Sequence, residues 1–142
     1  LQLQTFRVIC QPQDIEEDFV HWRISPIEVQ MAPEETAPIY ALVGDLAIGV
    51  GEWFVGATAS IMFAASDDEA DETAMREDLT AVAQCYGPWA ARVLWDHVSL
   101  AARTVSALCH GSVGRIDIPG DMPDVTYPSP GGQTGRTTND EE

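Results

Sequence analysis

The sequence predicts an α+β fold in which a four-stranded antiparallel sheet carries two helices packed on one face. Two observations predict this fold. Apolar residues alternate with a period of two through the first half of the chain, and they recur at intervals of three and four in the second half. Strands followed by helices in this order place the helices together on one face of an antiparallel sheet. The chain has 142 residues, which suits a single domain, and we assign residues 1–127 to it.

Four segments have the alternation that is typical of strands. In the first segment Phe6, Val8 and Cys10 fall on one face. The second contains Pro26, which favours an edge strand or an interrupted strand. The third and fourth segments, residues 39–65, meet at the glycine-containing stretch "GVGE" and predict a long antiparallel hairpin with one buried face.

Two helices are predicted after the strands. Residues 66–67 are suitable N-caps, and the carboxylates that follow them favour a helix N-terminus. Gly87 and Pro88 are expected to end this first helix. Asp96 is then the expected N-cap of a second helix, for which Gly111 is the expected C-cap. The second helix has an apolar stripe.

The chain is strongly acidic. It contains 23 Asp and Glu residues against seven basic residues, all of them arginine, and its formal net charge is −16. Because binding to phosphate backbones depends on Lys and Arg, this charge argues against nucleic acid as a partner, and it also repels anionic membranes. It favours solubility and attraction to basic partners. Residues 128–142 are predicted to be a disordered acidic tail.

The cysteines predict a cytoplasmic protein. Cys10, Cys85 and Cys109 form no CxxC pair and are an odd number, so reduced thiols are the simplest interpretation. No segment has the apolar length needed to span a bilayer, and residue Leu1 begins no secretory signal region.

No pattern in the sequence is typical of an enzyme. His21, His97 and His110 are far apart in sequence and fit no zinc pattern. Asp96 and His97 are better explained as a helix cap followed by a polar residue than as a catalytic pair. The clusters "DIEED" and "DDEADE" lack the alternating ligand spacing of a calcium loop. The sequence therefore predicts a binding protein with no catalytic residues, no cofactor and no metal.

Two sequence stretches carry a resemblance to a known family. The stretch "AQCYGPWAARVLWDHVS", preceded by "REDLTAV" and followed by a helix ending in "HG" and by "RIDIPGDMP", resembles the helical half of SecB-type protein-export chaperones. The series "WRISPIEVQ", "PIYALVGDLAIGV" and "GEWFVGATASIMFAAS" resembles their strand half. The resemblance covers about residues 1–125, and most of its matches are apolar positions.

The resemblance implies a function and an assembly. The family is similar in fold to the predicted sheet with helices and assembles as a dimer of dimers. Its members are holdases, meaning chaperones that bind unfolded clients without ATP and, for export, hand them to a motor ATPase. In this family, acidic residues contact the export motor. The resemblance implies that Asp14 and Asp18 are the acidic residues near the N-terminus that contact a partner. At the position comparable to an acidic residue of the family's sheet, this chain has Ala57. The stretch "LWDHVSL" also departs from the family's aromatic-Pro-aromatic pattern.

The stretch from Ala83 to Gly111 holds a single carboxylate, Asp96. Its apolar side chains therefore need other apolar groups to bury them. Sister subunits and client chains would supply these groups, since burying one large apolar side chain contributes roughly 1.5–3 kcal/mol. The predicted client contacts are all aromatic or apolar: Trp22, Trp53, Phe54, Val55, Trp89 and Trp95. For each of them, a place in the core or in a subunit interface is the alternative.

Two other functions remain open at this point. Some SecB-like members are dedicated chaperones of a toxin–antitoxin pair, which protect an aggregation-prone antitoxin. The second alternative is a small acidic phage-type inhibitor that imitates the phosphate spacing of DNA. Such a mimic needs its carboxylates arrayed on one rigid face, whereas many of those in this chain fall in predicted connections and in the tail.

Overall fold

The computed structural model describes residues 1–29, 39–64, 79–109 and 116–128, which form five strands and one long helix. The elements are β1 (Gln2–Pro12), β2 (Phe19–Ile27), β3 (Ile39–Val50), β4 (Trp53–Ala64), α1 (Leu79–Leu108) and β5 (Val125–Thr126). Three predictions lie outside the described residues: the helix start at residues 66–67, the C-cap at Gly111 and the tail from residue 129 onward.

The sheet is five-stranded and mixed, with the strand order β1-β4-β3-β2-β5. The four long strands pair in antiparallel fashion, as predicted. β5 adds a parallel fifth strand, because Val125 pairs with Trp22 and Thr126 pairs with Arg23. The α+β class is confirmed, and the prediction of a purely antiparallel four-stranded sheet is wrong. Because β5 has only two residues, it is too short to show the alternation by which strands are predicted from a sequence.

The predicted hairpin of β3 and β4 is confirmed. Tyr40 pairs with Phe63 at its open end, and Val50 pairs with Trp53 beside the turn. Gly51 in that turn has a φ of 60°, a left-handed conformation that glycine adopts without strain. Alternate residues of both strands face α1 and form much of the core: Tyr40, Leu42, Leu46, Ile48, Val55, Ala57, Ala59, Ile61 and Phe63.

A bulge in β1 changes the face that the alternation predicted. Thr5 pairs with Ala59 and Arg7 pairs with the next residue, Thr58, so Phe6 has no partner in the ladder. Phe6 is 56% exposed. Cys10 packs against the core, whereas the bulge at Phe6 interrupts the regular alternation that the sequence predicted for Phe6, Val8 and Cys10.

The two predicted helices are one continuous helix of 30 residues, with Pro88 inside it. A proline in a helix interior costs about 3 kcal/mol because it removes a hydrogen bond and crowds the preceding turn. Side chains on both sides of Pro88 are buried on the sheet, among them Val82 and Leu94, and this burial offsets the cost. Gly87 lies against Tyr127, whose ring is 2.7 Å from the place a β-carbon would occupy. Asp96 is therefore an exposed residue within the helix and not an N-cap.

α1 packs most closely on the sheet at Gly44. A β-carbon there would lie 2.5 Å from the Trp22 ring and 3.0 Å from Cβ of Leu94. Trp22 in turn meets Trp95 edge to face, with 5.6 Å between the ring centroids. Leu94 of the helix and the Trp22 ring thus both pack against Gly44 in the middle of the core.

We predict that Gly44→Ala destabilises the protein by about 1–3 kcal/mol, because the added methyl group must displace a buried ring or the helix. Gly49→Ala is the matched control. The three atoms nearest to a methyl group there all belong to the ring of Phe19, which is half-buried and can move. Urea unfolding followed by circular dichroism measures both variants, and an equal loss of stability in the two would contradict the close packing at Gly44.

Candidate functional site

Three of the six predicted client contacts belong to the core. Trp22 and Val55 are each 1% exposed, and Trp95 is 5% exposed. They lie between the sheet and α1, so their side chains are not available to a client in this fold. Their burial supports the alternative that the sequence analysis gave for them, a place in the core.

Trp53 and Phe54 are half-buried at the start of β4. They point to opposite sides of the sheet, because neighbouring strand residues alternate. Phe54 lies on the face away from α1, where its ring passes 3.0 Å from the place that a β-carbon on Gly56 would occupy. These two residues therefore do not share one surface, although they are adjacent in sequence.

Trp89 lies in an aromatic cluster of four rings: Tyr40, Phe63, Tyr86 and Trp89. Trp89 meets Phe63 edge to face with 5.2 Å between centroids, and Phe63 meets Tyr86 in the same way at 4.9 Å. Tyr40 stacks on Tyr86 at 5.7 Å. Trp89 is 43% exposed, so the cluster presents the Trp89 ring to solvent and holds it against Phe63, which packs on the other two rings.

The sequence analysis did not join these four rings. Tyr40 and Phe63 are direct cross-strand partners at the open end of the hairpin, and Tyr86 and Trp89 are three residues apart on α1. The helical spacing of Tyr86 and Trp89 and the pairing of β3 with β4 could both be predicted from the sequence. The contact between the helix and that end of the hairpin depends on how α1 crosses the sheet.

β1 is the second apolar surface. It is an edge strand that pairs only with β4, and its exposed apolar side chains are Leu3, Phe6 and Val8. Arg7 is its only charged residue. An exposed edge of eleven residues with apolar side chains is a template for pairing with another chain. Thr5 Oγ1 also hydrogen-bonds His97 Nε2, which ties β1 to α1.

The two acidic residues predicted to contact a partner have different surroundings. Asp14 is exposed in the connection between β1 and β2. Asp18 accepts a hydrogen bond of 3.0 Å from the backbone N–H of Gly51, so it helps to hold that connection against the hairpin turn. Two backbone bonds do the same, from Gln13 to Glu52 and from Ile15 to Gly51.

The described strands and helix contain only two carboxylates, Asp45 and Asp96. Asp45 lies on the sheet face away from α1, where it accepts hydrogen bonds from Arg23 at 3.0 Å and from Thr58 at 2.6 Å. That face is therefore not an acidic surface in the described part of the chain. The other carboxylates fall in connections or outside the described residues.

A pair of thiols lies at the opposite end of α1 from the aromatic cluster. The Cys109 side chain lies close enough to Cys10 to affect the ionisation of its thiol, and both residues are half-buried. Burial first, and then the neighbouring Cys109 thiol, raise the pKa of Cys10 from 9.0 to about 11. Cys85 is exposed and lies elsewhere on α1.

Within the described residues, no three Cys, His, Asp or Glu side chains come together as metal ligands would. None of the described helical residues form a segment that is both long and apolar enough to cross a membrane. Searches against protein-family models, curated proteins and solved structures found no match for this chain.

We predict that the reduced protein loses stability as the pH rises from about 9 to about 11. The folded chain holds the Cys10 proton more tightly than the unfolded chain does, so this contribution is complete below pH 9 and is lost as the pH passes the folded pKa of about 11. Cys10→Ser should flatten this part of the profile, and Cys85→Ser should not. The measurement is urea unfolding at a series of pH values under reducing conditions. Equal slopes in wild type and Cys10→Ser would contradict the assignment.

Proposed function

We propose that this protein is an ATP-independent holdase of SecB-like type, which binds unfolded or unassembled polypeptides at the aromatic cluster. The observation that carries the proposal is the exposed Trp89 ring, which packs on Phe63, while Phe63 in turn packs on Tyr40 and Tyr86. A rigid aromatic platform binds apolar side chains at a low cost in conformational entropy. Residues of this kind dominate binding energy at protein interfaces.

The client of such a platform is an extended segment with large apolar side chains. Segments of that kind are exposed in unfolded chains and buried in folded ones. A protein that binds only the unfolded state holds that state by mass action and releases it as the free concentration falls. Binding and release of this kind require no nucleotide.

The charge of the chain suits the same role. Its net charge of −16 keeps a complex with an unfolded client soluble and attracts basic client segments. Within the described strands and helix, only Asp45 and Asp96 are carboxylates, so these elements themselves add little negative charge to the platform. We place this activity in the cytoplasm, where the thiols stay reduced.

We also propose self-association through β1. Its unpaired edge and its exposed Phe6 are suited to pairing with a second copy, in keeping with the dimer of dimers that the SecB resemblance implies. Joined edges would cover apolar surface that a single chain leaves exposed.

The distribution of carboxylates bears on the rival functions. Among the described strands, the sheet face away from α1 offers only Asp45, which is paired with Arg23. This favours a holdase for a dedicated client, such as an antitoxin, over one that passes clients to an export motor through an acidic sheet. It also argues against a DNA mimic, since the described strands hold no row of carboxylates.

The test is suppression of aggregation of a chemically unfolded model protein, followed by light scattering without nucleotide. We expect the wild type to suppress aggregation and Trp89→Ala to need about tenfold more protein for the same effect, because it loses a central aromatic contact. Leu108→Ala is the matched control. Leu108 is 82% exposed at the far end of α1, and its loss should change nothing.

Circular dichroism and thermal unfolding must first establish that both variants are folded. Equal suppression by wild type and Trp89→Ala would reject the aromatic cluster as the client site. A folded wild type that suppresses no aggregation, but displaces DNA from a basic protein, would reject the holdase and favour the mimic.

We predict that Phe6→Glu lowers the mass of the protein in solution, because a carboxylate on the edge strand opposes pairing between two copies. Val50→Glu is the control, as Val50 is an exposed apolar residue beside the hairpin turn. Size-exclusion chromatography with light scattering gives the masses. An unchanged oligomer in Phe6→Glu, or a monomeric wild type, would contradict assembly through β1.

A further inference from the structure

Cys10 and Cys109 come together from two different elements of the fold. Cys10 lies on β1 opposite Val55, and its side chain packs against the core. Cys109 directly follows α1, and its backbone N–H donates to the carbonyls of Val105 and Ser106. Each thiol is thus placed by regular structure, and Cys109 is near enough to Cys10 to affect its ionisation.

A second contact shows that this arrangement follows from the way α1 runs along β1. Thr5 on β1 hydrogen-bonds His97 on α1. From Thr5 to Cys10 the strand advances about 16 Å, and from His97 to Cys109 the helix advances about 18 Å. The two elements therefore stay side by side over this distance, which brings the two thiols together at its end.

We infer that Cys10 and Cys109 are a reversible dithiol–disulfide site, at which a low-molecular-weight disulfide oxidises the pair and joins the edge strand β1 to the end of α1. Both residues are half-buried, so a small oxidant reaches them while the pair remains supported by the core. Cys85 cannot replace Cys109, because the helix separates these two residues by about 36 Å. The inference does not depend on the proposed holdase function.

The reaction with oxidised glutathione is a two-step exchange. The Cys109 thiolate attacks one sulfur of the glutathione disulfide, and the other glutathione leaves as a thiolate that takes up the proton given up by Cys109. The Cys10 thiolate then attacks the Cys109 sulfur and displaces the second glutathione, which takes up the proton from Cys10. Two protein thiols are oxidised, and one glutathione disulfide is reduced to two thiols.

The order of the steps follows from the surroundings of Cys10. Cys10 packs against the core, and its pKa is raised to about 11, so little of its thiolate is present at neutral pH. Cys10 therefore serves as the second, resolving thiol, and ring closure accelerates as the pH rises.

The disulfide would close a loop that contains most of the chain. Such a cross-link stabilises mainly by restricting the unfolded state, provided that it fits the native geometry. For a loop of this size and a chain of 142 residues, we expect the melting temperature to rise by roughly 10 °C. The bond would also hold β1 against α1 when the edge of the sheet pairs with another chain.

The test uses the full chain, reduced and then incubated with oxidised glutathione at several pH values. Mass spectrometry of the intact protein detects the loss of two hydrogens, and peptide mapping identifies the linked residues. We expect a Cys10–Cys109 link in wild type and in Cys85→Ser, a return to the dithiol form with reduced glutathione, and no such link in Cys10→Ser or Cys109→Ser. Thermal unfolding should give the oxidised form the higher melting temperature.

Several results would overturn the inference. One is a wild type that forms only glutathione adducts, or dimers linked through Cys85, with no Cys10–Cys109 peptide. Another is a Cys10–Cys109 link that forms in urea but not in the folded protein. A melting temperature that is unchanged or lower after oxidation would overturn the claim that the bond joins β1 and α1 as they are packed.

Discussion

The close approach of α1 to the sheet at Gly44 is the contact on which the rest of the structure depends. The absence of a side chain at Gly44 makes room for the Trp22 ring and allows Leu94 to lie directly above the strand. With the helix held there, its first half reaches the open end of the hairpin and its second half follows β1. The aromatic cluster, the Thr5–His97 hydrogen bond and the pair of thiols are three consequences of this one crossing.

The same crossing decides which large side chains are buried. Trp22 and Trp95 meet in the middle of the core, whereas Trp89, six residues before Trp95 on the same helix, remains 43% exposed. Tryptophan side chains therefore stabilise the core at two positions, whereas a third remains partly exposed. The proposed client site depends on this exposure of the Trp89 ring and on its contact with Phe63.

The carboxylates, unlike the large apolar side chains, are rare in the described strands and helix. Like charges placed close together on a sheet or helix repel one another, and the described strands and helix hold only two carboxylates in a chain that contains 23 acidic residues. The four carboxylates in the connection between β1 and β2 are exposed to water. A net charge of this size favours solubility and attraction to basic partners. The regular elements, in contrast, keep exposed apolar side chains such as Phe6 and Trp89.

The sequence by itself determined the α+β class, the four long strands and the hairpin of β3 and β4, because these follow from local periodicity and turn chemistry that act within a few residues. Only the tertiary structure decided the continuation of α1 through Pro88, the bulge at Phe6 and the addition of β5. Each of these depends on contacts between residues far apart in the chain. Burial on the sheet outweighs the local preference of a proline, and a two-residue strand exists only because β2 lies beside it. Which tryptophans are buried was decided in the same way, since an apolar side chain at helical or strand spacing does not reveal what will cover it.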